Sequence, residues 1–244
     1  MAEESVHSVE RAIALLLCLD ATSPRLDVAS LSERTGLSRS TAYRLLGTLE
    51  GTGMVRKRGT RYELGENVLK LAAGYLSANH ITIHAGAVLD ELAAEVKTGV
   101  TLAILDVDTV VTIAVGNAVN GQYTLHPTEI GRRIPAASTS VGRMLLAYQE
   151  AETGTPAPRS LHDDLHTPEQ IRAQGYEMTT GLLEAGVRTI AVPVYDDNDK
   201  VVAGLGILAD AGSTSAKKLQ GAHLQRLRAA ADRLTELSRT AFQR

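Results

Sequence analysis

Leu31-Ser32-Glu33-Arg34-Thr35-Gly36-Leu37-Ser38-Arg39-Ser40-Thr41-Ala42-Tyr43-Arg44-Leu45-Leu46 carries two helix signals back to back. Gly36 permits the positive φ that closes one helix, Leu37 plugs the turn, and Ser38 offers a side-chain cap to the next. In that next helix Ala42, Leu45, Leu46 and Leu49 fall at i, i+3, i+4 and i+7 and define an inward face. The opposite face carries Ser40, Tyr43, Arg44 and Gly47, flanked by Thr41 and Thr48, with Arg39 near the start. Hydroxyl and guanidinium donors are the groups that reach phosphate oxygens and base edges. Two helices joined by a short glycine turn, the second so decorated, read as a helix-turn-helix.

Upstream, Val9, Ile13, Leu16 and Leu17, with Ala12 beside them, predict a helix over residues 6–19. Thr22-Ser23-Pro24 ends it, because Pro cannot continue a helix. Asp27 is placed to cap a short helix from Val28 to Thr35, with Leu31 inward. Downstream, Gly51 and Gly53 stop the third helix near Thr52. Met54 and Val55 start a strand, Arg56-Lys57-Arg58-Gly59-Thr60-Arg61 forms a basic hairpin tip, and Tyr62-Glu63-Leu64 returns. Such a hairpin is a wing whose cations lie along the phosphate backbone and add salt-dependent affinity. Residues 1–65 are therefore expected to form a winged helix-turn-helix domain. Its contacts to double-stranded DNA would come from Ser38, Arg39, Ser40, Thr41, Tyr43, Arg44, Thr48, Arg56, Lys57, Arg58 and Arg61.

Composition supports this locally rather than globally. The formal net charge over 244 residues is −3, which averaged along the chain argues against nucleic acid. Between Arg34 and Arg61, however, seven basic residues meet a single acid, Glu50. A basic face on an acidic chain fits a DNA-binding module attached to something else. Trp is absent and Phe occurs once, so the cores must be built from Leu, Val, Ile and Ala. The single cysteine, Cys18, excludes an internal disulfide and any multi-cysteine metal site. Set among Leu15, Leu16, Leu17 and Leu19, it reads as a buried small hydrophobe. The polar, acidic start has no secretion-signal pattern, and no apolar run approaches the roughly 20 residues of a membrane span. A cytoplasmic protein with no membrane partner is expected.

Residues 66–80 read as a linker helix. Leu69, Leu71, Ala72 and Leu76 lie on one side and Val68 and Tyr75 on another, and a helix apolar on more than one face has more than one neighbour. From Ile83 to Lys97 a second helix buries Ala85, Val88, Leu89, Leu92, Ala93 and Val96, ended by Gly99. Strands are expected over 100–107, 110–115 and 122–126, with a tight turn at Asp106 and Asp108. A helix from Thr139 to Gln149, a loop from Ala151 to Asp164 and a helix from Pro168 to Gly175 follow. A hairpin (187–195 and 200–209) and a long helix (214–239) complete the chain. That order makes residues 81–244 an α/β (α+β) domain with an antiparallel or mixed sheet.

No catalytic constellation stands out. His80 and His84 have metal-site spacing but lack the acid of an HExxH motif. Ser138 and Ser140 lack a nucleophile elbow, and no phosphate- or dinucleotide-binding glycine pattern is present. Asp196-Asp197-Asn198-Asp199 lacks the glycine and terminal Glu of a calcium loop and reads as a solvated turn. Neither a metal, a cofactor nor enzyme chemistry is expected; binding is favoured over catalysis.

The N-terminal run above, together with Ser8-Val9-Glu10-Arg11-Ala12 and Tyr62-Glu63-Leu64-Gly65, resembles the DNA-binding domain of the IclR family of bacterial regulators. The resemblance continues through Gly131 to Pro135, Gly142-Arg143-Met144-Leu145-Leu146-Ala147, Ile171 to Tyr176, Gly186-Val187-Arg188 and Ile190 to Asp196. It implies a winged helix, a linker helix and a GAF-like effector domain with a mixed sheet. It further implies homodimers or tetramers on palindromic operators, repression more often than activation, and a small organic acid or aromatic effector. The family's effector positions correspond here to Ser138, Thr139, Ser140, Val141, Thr179, Thr189, Gly206 and Leu208. Departures from the pattern are Gly206 and Leu208 where hydroxyls are common, Gly181-Leu182 where an acid is usual, and Arg143 for a common Lys. They imply a more apolar ligand than glyoxylate or pyruvate, or a lost ligand response. A regulator that ignores ligands is the alternative; a GAF-domain redox enzyme would need paired cysteines.

Overall fold

The computed structural model describes residues 6–78, 80–118, 121, 129–156 and 166–241. The chain divides into two compact units, Met1–Ala78 and Asn79–Arg244.

The first unit contains α1 (His7–Leu17), β1 (Leu26–Asp27), α2 (Val28–Thr35), α3 (Arg39–Gly51), β2 (Val55–Arg58), β3 (Arg61–Leu64) and α4 (Asn67–Ala78). Local chemistry sets its boundaries. The Asp27 carboxylate accepts from the Ser30 N–H at 2.8 Å, Gly36 closes α2 at φ 70°, and Ser38 Oγ accepts from the Thr41 N–H at 3.2 Å. The core gathers Leu15, Leu19, Val28, Leu31, Ala42, Leu46, Leu49, Val55 and Tyr62. In α1 the inward side is Leu15, whereas Val9, Ile13 and Leu17 are exposed. This helix has two apolar stripes, and periodicity alone does not say which one is covered. Cys18 is half-buried at the core's margin instead of fully enclosed, and burial pushes its thiol pKa up. The two-residue β1, too short to leave a periodic signal, pairs Leu26 with Tyr62 and completes a three-stranded sheet of order β1-β3-β2.

The second unit is a six-stranded sheet of order β6-β5-β4-β9-β8-β7. Its strands are β4 (Gly99–Asp106), β5 (Thr109–Gly116), β6 (Arg133–Pro135), β7 (Glu177–Thr180), β8 (Val187–Tyr195) and β9 (Val201–Asp210). Helices α5 (His80–Val96) and α9 (Leu224–Ala241) bury one face, with Leu89, Leu102, Ile190, Leu205, Ile207 and Leu227 at its centre. Helix α6 (Ser140–Thr153) covers the other face through Val141, Met144 and Leu145, with α7 (Pro168–Gln174) beside it. The short α8 (Ala216–Lys218) precedes α9.

Several expectations are corrected. The mixed sheet implied by the resemblance is antiparallel at every pairing among the described strands, because β4–β5 and β8–β9 are hairpins and β9 returns antiparallel beside β4. The α5 helix is stopped by Lys97 at φ 58°, ahead of Gly99, which already belongs to β4. Helix α6 runs on to Thr153, where Gly154 closes it at φ 70°. The C-terminal helix is broken over Leu219–His223, where Gly221 has φ −89° and ψ −108°, outside the helical range. The expected strand at 122–126 and most of the 151–164 loop lie outside the described residues, as do the side chains of His80 and His84.

Candidate nucleic-acid interface and ligand cavity

Helix α3 separates its faces as its spacing demands. Ala42, Leu46 and Leu49 are buried and Leu45 is half-buried, while Ser38, Arg39, Ser40, Arg44, Gly47 and Thr48 are exposed and Tyr43 is 55% exposed. Thr41 is half-buried and bonds the capping Ser38 hydroxyl at 2.9 Å. Among the described residues, Arg39 and Arg44 have no acidic partner.

The hairpin behaves differently from its sequence. Arg58 and Arg61 pair across a two-residue loop in which Gly59 takes φ 61°, the positive value such hairpins need at their first loop position. Arg58 donates to Glu63 at 3.0 Å and Arg56 pairs with Glu66. Lys57 stacks over the Tyr62 ring at 5.7 Å. Two of the hairpin's four cations, of the six expected at DNA, are therefore tied to carboxylates just beyond the basic run, and Arg25 shares Glu63 at 2.7 Å. Lys57 and Arg61 stay exposed.

Helix α4 is fastened to the end of α3. The Asn67 amide donates to the Thr52 carbonyl at 2.8 Å and its N–H donates to the Gly53 carbonyl at 3.2 Å. Gly65 lies so close that a Cβ there would sit 2.2 Å from the Gly53 carbonyl oxygen.

In the second unit a cavity of about 410 Å³ lies between the start of α6 and the sheet. Alternation in the strands turns Thr101 and Ala103 of β4, Val110 and Thr112 of β5, Gly206 and Leu208 of β9 and Thr189 of β8 toward it. Thr139, Ser140 and Val141 arrive from α6, Leu183 and Glu184 from the turn between β7 and β8, and Glu129 and Arg132 from the turn before β6. Of the positions carried over by resemblance, Thr139, Ser140, Val141, Thr189, Gly206 and Leu208 come together here. Thr179 lies behind, its hydroxyl 2.9 Å from that of Thr189, and Ser138 instead donates to the Pro135 carbonyl at 2.7 Å. Thr101, Thr112, Glu129, Arg132 and Glu184 were not singled out by sequence.

Two hydroxyls give the cavity its chemistry. Ser140 is 1% exposed and Thr112 is 6% exposed, and among the described residues neither hydroxyl has a hydrogen-bond partner. Thr139 caps α6, accepting from the Gly142 N–H at 2.8 Å. The N–H groups of Ser140 and Val141 precede any helical acceptor, so the start of α6 is electropositive. Gly206 makes room on the floor: a Cβ there would stand 2.7 Å from Val141 Cγ2.

Beneath α6, sequence reasoning missed a buried ion pair. Glu177 is fully enclosed; it accepts from Arg143 Nε at 2.7 Å and lies 2.7 Å from His166 Nδ1. Arg143 also donates to the His166 carbonyl at 2.6 Å. The pair anchors the chain entering α7. The Asp196 turn is held by its own backbone: Asp196 Oδ1 accepts from the N–H groups of Asn198 and Lys200. No helix among the described residues is long and apolar enough to cross a membrane.

A winged helix-turn-helix joined to a second, sheet-based unit is the architecture of a DNA-binding transcriptional regulator. Residues 8–59 match the IclR helix-turn-helix domain, and residues 73–236 match the profile described as bacterial transcriptional regulator IclR C-terminal. The Pca regulon regulatory protein of Pseudomonas putida is 31% identical over 236 residues, covering 91% of this chain and 81% of that protein. An IclR transcriptional regulator from Alicyclobacillus acidocaldarius shares the fold at a TM-score of 0.78 and 24% identity, over 96% of this chain and 99% of that one. An IclR homologue from Microbacterium hydrocarbonoxydans, complexed with 4-hydroxybenzoate, aligns at a TM-score of 0.74 and 21% identity, over 94% and 98%. The chain belongs to the IclR family of bacterial transcriptional regulators, and it is not an enzyme.

Proposed function

We propose that this protein binds a palindromic operator as a homodimer or tetramer, in the bacterial cytoplasm, and that a small aromatic or other organic acid in the α6 cavity controls that binding. One observation carries the reading: α3 buries Ala42, Leu46 and Leu49 and turns Ser40, Tyr43 and Arg44 outward. Arg44 and Ser40 supply base and phosphate donors, and Arg39, Lys57 and Arg61 supply phosphate contacts. Self-association is supported by exposed apolar side chains in the same unit, at Val9, Ile13 and Leu17 on α1 and at Leu69, Leu71 and Tyr75 on α4.

The cavity suits an acid. Its size falls in the range of small-molecule sites. Val110, Ile134, Val141, Leu183 and Leu208 offer an apolar lining, while the α6 start and the Ser140 hydroxyl offer an anion a seat. The 4-hydroxybenzoate in the Microbacterium homologue fits that combination. The assigned effector contacts are Thr139, Ser140, Val141, Thr189, Gly206 and Leu208. A ligand changes operator affinity only through a difference in its own affinity for the two states. Operator fragments recovered from the bound genome, titrated by fluorescence anisotropy with and without aromatic acids, test the reading. An acid that shifts the operator Kd and raises Tm supports it. Tight operator binding with no acid changing either quantity would establish a ligand-independent regulator instead.

A further inference from the structure

We propose that the cavity accepts an organic acid bearing one carboxylate and discriminates against one bearing two; this rests on the reading of the cavity as the effector site. Among the described residues, the charged side chains that line it are Arg132, Glu129 and Glu184, one positive and two negative. They enter from both edges of the sheet. Arg132 Nη1 donates to Glu129 Oε2 at 2.7 Å. The turn holding this pair is itself fixed, because the Gly131 N–H donates to the Thr112 carbonyl at 2.8 Å and the Thr112 N–H donates to the Arg132 carbonyl at 3.2 Å.

The other positive pole is the start of α6, where Ser140 is 1% exposed, lines the cavity and, among the described residues, has no partner for its hydroxyl. A first carboxylate seated there meets unspent N–H groups, an available hydroxyl and a favourable helix dipole. A second carboxylate meets a different environment. To reach Arg132 it must displace Glu129, leaving that carboxylate unpaired beside it; elsewhere along the rim it approaches Glu184. Like charges at such separations repel, more strongly where the site excludes water. A neutral hydroxyl has no such conflict, since it can donate to a rim carboxylate or accept from Arg132. The rim therefore selects ligand charge through residues that lie outside the positions carried over from the family.

Isothermal titration of the full chain at pH 7.5 tests this with three para-substituted benzoates. 4-Hydroxybenzoate carries one charge, terephthalate carries two, and monomethyl terephthalate carries one at the larger size. The wild type should bind both singly charged compounds at least about tenfold more tightly than terephthalate, a difference of about 1.4 kcal/mol. In the double variant Glu129→Gln/Glu184→Gln the preference for one carboxylate over two should shrink to about threefold or less. Terephthalate binding the wild type as well as the others, or an unchanged ratio in the double variant, would overturn charge selection and leave the effector reading standing. Rejection of monomethyl terephthalate together with terephthalate would show exclusion by size and also overturn it. Binding of none of the three, by wild type and variant alike, would overturn the cavity's assignment to aromatic acids, and this proposal with it.

Discussion

Glu63 accepts a hydrogen bond from Arg58 at 3.0 Å across the wing, and that carboxylate also holds Arg25 at 2.7 Å. These bonds, Arg58's first, keep the Glu63 pKa below its ordinary value. A carboxylate whose folded pKa is depressed stabilises the fold above its unfolded pKa, and that contribution is lost as pH falls through the lowered value. In Glu63→Gln the wing should therefore lose a small part of its acid-dependent unfolding, seen as a shallower acid limb in a pH–Tm series. The same variant frees two guanidinium groups. Plots of log Kd against log salt on random duplex DNA should steepen by about 1 to 2 units, at about 0.9 per phosphate engaged. An unchanged slope would place Arg58 and Arg25 away from DNA.

Val107 occupies the β4–β5 hairpin loop at φ 57° and is 80% exposed. A β-branched residue in left-handed backbone is strained, and this one has little burial to offset the strain. Val107→Gly should raise stability by about 1 kcal/mol in equilibrium urea denaturation. A loss of stability would show that the valine makes contacts that outweigh its strain.

Two glycines hold α6 against its surroundings, and they should respond differently to a methyl group. At Gly142 a Cβ would lie 2.2 Å from the Ala136 carbonyl oxygen, so backbone must move; at Gly206 the obstacle is a Val141 methyl at 2.7 Å. Gly142→Ala should cost about 3 kcal/mol and Gly206→Ala about 1 kcal/mol, the upper and lower ends of overpacking. Only Gly206→Ala, by filling the floor, should weaken ligand binding beyond its effect on stability. Equal costs in thermal denaturation would mean that the α6 start yields as easily as a side chain.

Arg143 and Glu177 form a pair with almost no water contact. Removing one partner leaves an uncompensated buried charge, which typically costs about 3–5 kcal/mol. Glu177→Ala should destabilise the second unit by that amount, measured as loss of amide protection in β7 and α7. A cost under about 1 kcal/mol would assign the pair a surface-like role.

The chain shows where sequence speaks and where it falls silent. The faces of α3 were legible because one strong heptad-like pattern, Ala42-Leu45-Leu46-Leu49, has a single possible inward side. The face of α1 was not, because Leu15 and Leu19 compete with Val9, Ile13 and Leu17 on similar spacing, and tertiary packing decided between them. Counting charges from Arg34 to Arg61 overstated the wing, since Glu63 and Glu66 lie just past that window and neutralise Arg58 and Arg56. In the cavity, Thr139 to Val141, Thr189, Gly206 and Leu208 were found through resemblance. Thr101 and Thr112 were hidden because alternation in β4 and β5 does not say which sheet face α6 covers. The acid sought at Gly181-Leu182 exists two residues beyond, at Glu184, positioned by a turn that leaves no periodic trace.

The central claim is that α3 reads DNA with its outward row. Anisotropy titration of Arg44→Ala against its genomic operator and against a shuffled duplex, at one fixed salt concentration, tests it most directly. The account predicts a loss of about 1–3 kcal/mol on the operator, roughly 5- to 150-fold in Kd, and a much smaller loss on the shuffled sequence. Undiminished operator affinity, or an equal loss on both duplexes, would contradict it.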